Sequence, residues 1–385
     1  MIRFYLYSFF QAAAIFSAVL IPIYTRWGHI NQTEIQILQS WFMLWIFLLE
    51  VPTGVIADRF SRKASLIIGS IVVGIACLIY GSFPSFSVFL LGEFLFAAGV
   101  AFSSGADEAL LYDSLKEKGR EGEMGKILGR VRSIELAAMF LAAPIGGIVA
   151  GKISVNAPMY LSCLQYFVAA IVAMSIKETM VGEKKKSESL RYLEIVKAGK
   201  DFFVNNKEFR KLTINSVLVA SSAYFVIWFY QPLLTKLGVP IYYFGLFHAG
   251  LVLGEILILN IIPKVPKRFG GWHLVINISA LITGVAFIIA GVFPSMLTVV
   301  ILLLFAGGFG LTRANFLSPI INHHIPSEIR ATTLSSVSMF KRFLLVVLNP
   351  IFGFIADKNL SLALISSGAL ALLVFFLFPL KKSEA

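Results

Sequence analysis

Twelve apolar runs of roughly 20 residues follow one another along this chain, separated mostly by short charged linkers. A run of that length crosses the hydrocarbon core of a bilayer as a helix, and a helix satisfies its own backbone hydrogen bonds there. Charge, Pro and Gly boundaries place the runs at roughly 3–25, 35–57, 64–82, 86–112, 127–151, 156–176, 210–236, 240–262, 272–293, 296–322, 329–356 and 360–380. Transmembrane strands would be short and alternating, whereas these runs are long and continuous. The expected fold is an all-α membrane protein of twelve spans. Composition agrees: the 385 residues are 58% hydrophobic and 14% charged, against about half and about a quarter in soluble domains.

The first run begins almost at Met1 with only Arg3 before it, and no small-residue cleavage site follows. It reads as a retained helix and not as a signal peptide. Cys77 and Cys163 fall inside apolar runs, which favours core packing over a disulfide or thiol–metal site. The net charge of +12 does not read as a nucleic-acid footprint, because the bases follow the linkers. Odd-numbered linkers carry only Arg26, Lys152, Lys236 and Lys358, while even-numbered ones carry Arg59, Arg62, Lys63, Lys116, Lys118, Arg120, Lys126, a cluster over 177–211, Lys264, Lys267 and Arg268. The positive-inside rule then puts both termini in the cytoplasm of a multi-pass cell-membrane protein. Attraction to the anionic lipid bilayer is a secondary effect of the same charge.

The longest polar interruption divides the chain into a six-helix bundle over 1–176, a cytoplasmic linker over 177–209 and a second six-helix bundle over 210–385. Within the linker, Leu190, Leu193, Val196 and Phe203 fall on one side of an amphipathic helix that would lie on the membrane surface, although a plain charged tether fits equally well. The halves repeat. Pro22, Thr25, Arg26 and Gly28 match Pro232, Thr235, Lys236 and Gly238, FAAGVA from Phe96 matches FAGGFG from Phe305, and Pro144 with Gly147 matches Pro350 with Gly353. Parallel six-helix repeats are how one large group of secondary transporters is built.

The loop GVIADRFSRK, Gly54 to Lys63, places an acid and three bases between two spans. Gly54 would allow a bend or a close helix approach, and Asp58 would cap the next helix. Arg59, Arg62 and Lys63 would then face Asp107, Glu108 and Asp113 at the end of span 4, with Glu50 beside them. Such a network holds the cytoplasmic side shut in one state and opens in another; alternatively, the bases only fix topology.

With that loop, the twelve spans, the repeat and the basic central linker, the whole chain resembles the major facilitator superfamily. EVPTG before the loop, SGADEALLYDSL ending span 4 and IRATTLSSVSM entering span 11 are similar to a prokaryotic, drug-exporter-like branch of it. The resemblance implies two pseudo-symmetric halves, a gating role for Gly54, Asp58, Arg59 and Arg62, and a cavity surrounded by spans 1, 2, 4, 5, 7, 8, 10 and 11. Two departures stand out. Glu93 occupies the place of an arginine that many proton-coupled members carry early in span 4, and APIGGI keeps Pro144 and Gly147 of the antiporter signature without its flanking glycines. KRFG, from Lys267, is the second-half counterpart of the loop and has lost the acid.

An ionised group at the bilayer centre costs on the order of 2.5–3.5 kcal/mol, so intramembrane charges need partners or a wet path. Besides Glu50 these are Glu93, Arg132, Glu135, Glu255, Arg313, Lys341 and Arg342, all on cavity-type spans. Glu93, Glu135 and Glu255 are the proton-coupling candidates. Glu93 has no base within a turn of it, His248 lies about two turns before Glu255, and Glu135 either pairs with Arg132 at i−3 or carries a proton. Arg132, Arg313, Lys341 and Arg342 are candidate substrate contacts, together with Phe16, Trp41, Trp228 and Phe229 as apolar lining. By the repeat, Glu135 corresponds to Lys341, so the two would pair across the cavity or Lys341 would bind an anion. Pro144, Gly147, Pro350 and Gly353 are expected to let spans 5 and 11 bend and pack closely. His323 and His324 are adjacent and would point apart on a helix, so no metal site is expected.

No GxxxxGK[ST] occurs, so ATP does not drive this chain directly, and no nucleophile–base or metal-ligand cluster marks an enzyme or calls for a cofactor. The expected function is secondary transport by alternating access: proton antiport in multidrug efflux, exporting small amphiphilic or drug-like molecules, by a protein acting as a monomer. Carriage of organic anions or anionic lipids by the basic residues of the second half is the alternative.

Overall fold

A computed structural model describes residues 1–59, 61–178, 201, 203–265, 271–323, 325 and 330–381, apart from a few side chains such as those of Asp58, Arg59 and His323. Among these residues the regular structure is entirely helical, and eleven helices are long and apolar enough to cross a membrane. The remaining expected span, the second, is the 28-residue helix Gln32–Arg59. The others are span 1 (Ile2–Trp27), span 3 (Arg62–Ser82), span 4 (Phe86–Lys116), span 5 (Glu121–Lys152), span 6 (Ala157–Ser175), span 7 (Lys207–Lys236), span 8 (Ile241–Lys264), span 9 (Trp272–Val292), span 10 (Met296–Ser318), span 11 (Thr333–Lys358) and span 12 (Leu360–Leu377). Leu190, Leu193 and Val196 of the expected amphipathic segment, KRFG from Lys267, and His324 lie outside the described residues.

The chain forms two compact units. One contains Met1–Ser189 with Ile241–Leu246, the other Leu190–Pro240 with Phe247–Ala385. In the first, span 3 packs on spans 6 and 4, span 4 on span 2, and span 1 on spans 5 and 6. In the second, span 9 packs on spans 12 and 10, and span 7 on the same two.

Equivalent glycines set the outer contacts of each unit. A Cβ at Gly74 of span 3 would meet the Phe167 ring of span 6 at 2.9 Å, and one at Gly284 of span 9 would meet Leu372 of span 12 at 2.7 Å. One turn pair further on, Gly81 faces Met159 at 3.2 Å and Gly291 faces Ser361 O at 2.8 Å. Small residues let helix backbones approach in lipid, where no hydrophobic gain drives them together. Cys77 and Cys163 are free, buried thiols packed in one cluster with Val73 and Tyr166.

Spans 1 and 10 are not uniform helices. Span 1 breaks at Ala13–Ala14, where Gly146 of span 5 lies against the Ile15 carbonyl, and ends in a π-helical turn, Ile23–Trp27. Span 10 is π-helical over Leu302–Leu311. The π turn accounts for a slip in the repeat. Pro22 and Gly28 align with Pro232 and Gly238, yet the left-handed residue after span 7 is Gly238 (φ 74°) and that after span 1 is His29 (φ 52°), one position later. A π turn holds one residue more than an α turn, and that residue supplies the shift.

Candidate functional site

Glu93 sits two turns into span 4, 5% exposed, and its Oε1 gathers three donors from three other helices. Tyr24 Oη of span 1 donates at 2.6 Å, Tyr80 Oη of span 3 at 2.7 Å and Gln39 Nε2 of span 2 at 3.0 Å. The two hydroxyls are 3.2 Å apart, and Gln39 Nε2 also reaches Tyr24 Oη at 3.3 Å. Among the described residues no base takes part. Aromatic rings close the cluster: Phe89 stacks on Tyr80 at 4.6 Å, and Phe96 lies 5.6 Å from the same ring. Trp27 Nε1 donates to the Tyr80 carbonyl at 3.2 Å. Gly92 leaves room for the Tyr80 ring and Gly28 for Phe89. The sequence reading singled out Glu93 and missed Tyr24, Gln39 and Tyr80. The overlooked signal was three polar residues at the same end of spans 1, 2 and 3.

The second unit holds a buried base. Arg313 is 0% exposed, and its Nη1 donates to Ile276 O at 2.8 Å and to Ser279 Oγ of span 9. Its Nη2 donates to Asn215 Oδ1 of span 7, while Asn215 Nδ2 donates to Phe378 O, just past span 12, at 2.9 Å. All of these partners are neutral, and Nε has none among the described residues. Elsewhere in this unit, Tyr230 Oη and His248 Nδ1 lie 2.9 Å apart, with Gln231 Nε2 3.0 Å from the same hydroxyl.

At the loop end of the first unit, Arg62 Nη1 pairs with Asp113 Oδ2 and donates to Ala109 O at 3.2 Å. Asp107 Oδ1 accepts from the Glu108 amide at 2.7 Å, just after the left-handed Gly105, and Glu108 is exposed. Glu50 and Lys63 are half-buried. One expectation for the loop needs correction. Span 3 starts at Arg62, so its cap is Ser61, whose Oγ accepts from Ala64 N at 2.8 Å, and not Asp58, which lies three residues too early. A Cβ at Gly54 would meet nothing within 4 Å among the described residues.

The remaining candidates are dispersed. Arg132 Nη1 donates to Glu135 Oε2 at 3.1 Å on one turn of span 5. Glu255 is buried in span 8, and Lys341 and Arg342 are half-buried on span 11. Phe16 packs on Phe96 at 5.6 Å and Trp41 Nε1 donates to Leu90 O at 3.0 Å. Trp228 lies 5.9 Å from Tyr224, while Phe229 stacks on Phe225 at 5.5 Å. Pro144 and Pro350 stand inside unbroken 29-residue helices. Gly147 lies against Tyr242 O at 2.8 Å, within the first unit. Gly353 lies on span 11.

A family model described as Major Facilitator Superfamily matches residues 4–350. The chain belongs to that superfamily, whose members are transporters and not enzymes. It is 22% identical over 218 residues to an uncharacterized MFS-type transporter of Methanocaldococcus jannaschii, covering 54% of each chain. It is 24% identical over 168 residues to Multidrug resistance protein 2 of Bacillus subtilis, covering 43% of this chain and 40% of that one. The matched stretch thus spans about half the length of these curated relatives, or less. Among solved structures, the nucleoside transporter NupG superposes with a TM-score of 0.80 at 14% identity over 98% of this chain and 97% of the other. A bacterial homolog of the human lysosomal transporter Spinster does so at 0.74 and 15% over 97% and 94%. These last two likenesses speak for the fold alone.

Proposed function

We propose that this chain exchanges protons for small amphiphilic or drug-like molecules and exports them by alternating access. Glu93 carries the reading. Among the described residues it is a membrane-buried carboxyl held by neutral donors alone, which is the arrangement a reversible proton carrier needs, since both charge states then lack a competing base. The partial similarity to Multidrug resistance protein 2 favours amphiphilic cargo. The gate in this scheme is the Arg62–Asp113 pair, joined by Asp58, Arg59 and Lys63. The test is the protein reconstituted in vesicles with a fluorescent lipophilic cation. A proton gradient should drive its uptake, a protonophore should abolish that uptake, and Glu93→Gln should make it indifferent to the gradient. Gradient-independent uptake by the unaltered protein would refute proton coupling.

A second reading rests on Lys341 and Arg342, adjacent half-buried bases on span 11: carriage of organic anions or anionic lipids. Thermal stabilisation by organic anions, and not by lipophilic cations, would favour it over the first.

A further inference from the structure

Gln36 of span 2 is 0% exposed, and neither its Nε2 nor its Oε1 has a partner among the described residues. A buried polar group left unpaired is costly, and ordered water is the usual remedy where the surroundings are polar. They are polar here. Gln32, Gln36 and Gln39 recur at i, i+4 and i+7, a spacing that stacks them on one helix face. Gln39, at the inner end of the stripe, donates to both Glu93 and Tyr24. Gln32, at the outer end, is the first residue of the helix, 8% exposed, next to exposed Asn31. Glu34 stands at the same mouth, its Oε2 accepting from the Asn31 amide at 2.8 Å. The rings beside this carboxyl pack on one another, Phe89 and Phe96 both lying against the Tyr80 ring.

We propose that Gln32, Gln36 and Gln39 line a narrow file of water that carries protons between Glu93 and the membrane face at the Gln32 end of span 2, opposite the basic loop. The proposal rests on the proton-carrying reading of Glu93 and adds its route. A carboxamide offers two donors and an acceptor but no exchangeable acid of its own, so it orders water instead of relaying protons itself. The hydroxyls of Tyr24 and Tyr80, the titratable groups that face Glu93 from spans 1 and 3, complete the inner end; Gln39 faces it from span 2 and is neutral. Gln36 stands midway along the stripe and is fully enclosed, so an apolar side chain there should plug the file.

The experiment is infrared spectroscopy of the protein in lipid, following the stretching band of the protonated carboxyl that Glu93→Gln removes. On transfer to heavy water the band shifts as deuterium replaces the proton. Gln36→Leu should slow that shift by about tenfold or more, Gln36→Met should do the same with nearly the native shape, and Gln36→Asn should leave it fast. Melting temperatures identify any variant that fails to fold, and either apolar variant alone decides the question. If the band is present and both apolar variants exchange at the unaltered rate, the water file is wrong and the proton-carrying role of Glu93 stands. If Glu93→Gln removes no band at any pH, Glu93 carries no exchangeable proton, and both readings fall together.

Discussion

Gly92 and Tyr80 are in direct contact across spans 4 and 3, and a methyl group on Gly92 would collide with the ring edge at Cε2 and Cδ2. The residue next to Gly92 is the carboxyl that the same tyrosine hydroxyl serves. Gly92→Ala should therefore displace the ring and loosen the Glu93 cluster, at about 1–3 kcal/mol for an overpacked site. Its melting temperature should fall clearly, whereas Gly54→Ala, where no described atom lies within 4 Å of the added carbon, should melt with the parent. Equal melting of the two variants would contradict this packing.

Glu93→Gln keeps the shape of the side chain and removes its proton. Gradient-driven transport should drop at least about tenfold, while substrate exchange in the absence of a gradient survives. Tyr80→Phe should fall between the two, because Tyr24 and Gln39 still hold the carboxyl. Unaltered pH dependence of transport in Glu93→Gln would remove this residue from the mechanism.

The Arg62–Asp113 pair is mostly sheltered, with side-chain exposures of 18% and 23%. Charge-assisted bonds contribute about 1.5–3 kcal/mol, so Arg62→Ala or Asp113→Asn should reduce turnover by about tenfold or more while substrate binding is retained. Exchanging the two residues should restore part of the loss. Binding isotherms and transport rates measured side by side separate the effects; lost binding at unchanged turnover would count against a gate.

Arg313 is expected to matter for stability. Arg313→Ala strands Asn215 Oδ1, at about 1–3 kcal/mol for a buried acceptor left unpaired, and takes a charged donor from Ser279 Oγ and the Ile276 carbonyl, which keep their bond to each other. Arg313→Lys should not rescue it, because one ammonium cannot reproduce the planar fork that reaches spans 7 and 9 together. A large drop in melting temperature is the expected result. Normal melting with weakened anion binding would instead make Arg313 a substrate contact, and Lys341→Ala and Arg342→Ala are the variants to compare with it.

Helix count and repeat were legible because hydropathy over about 20 residues integrates many side chains, so single errors cancel. Glu93 was legible because an acid in an apolar run is conspicuous. Its partners were not, since Tyr24, Gln39 and Tyr80 are scattered over three helices, and nothing local says which way each one turns. The same holds for Asn215 and Ser279 around Arg313. The cap of span 3 was misplaced by three residues for a different reason: the apolar run reveals where a helix is buried, while its true start depends on which side chain closes the first turn. The π-helical stretch of span 10 left no trace in hydropathy, because an added residue per turn does not alter the apolar character of Leu302–Leu311.

Gly74 and Gly284 are 210 positions apart, as are Gly81 and Gly291, and spans 3 and 9 are both 21 residues long. Descent from a duplicated ancestral segment would leave this mark where copies kept their length and their outer surface while diverging inwardly. The divergence is concrete: Gly69, whose missing side chain makes room for Gly99 O and Ser103, corresponds to Ser279, whose hydroxyl receives Arg313. Transplanting span 9 into the place of span 3 should thus give a chimera that still seats against span 6 but is refused by span 4. Restoring glycine at that single transplanted serine is the change that should let the graft take.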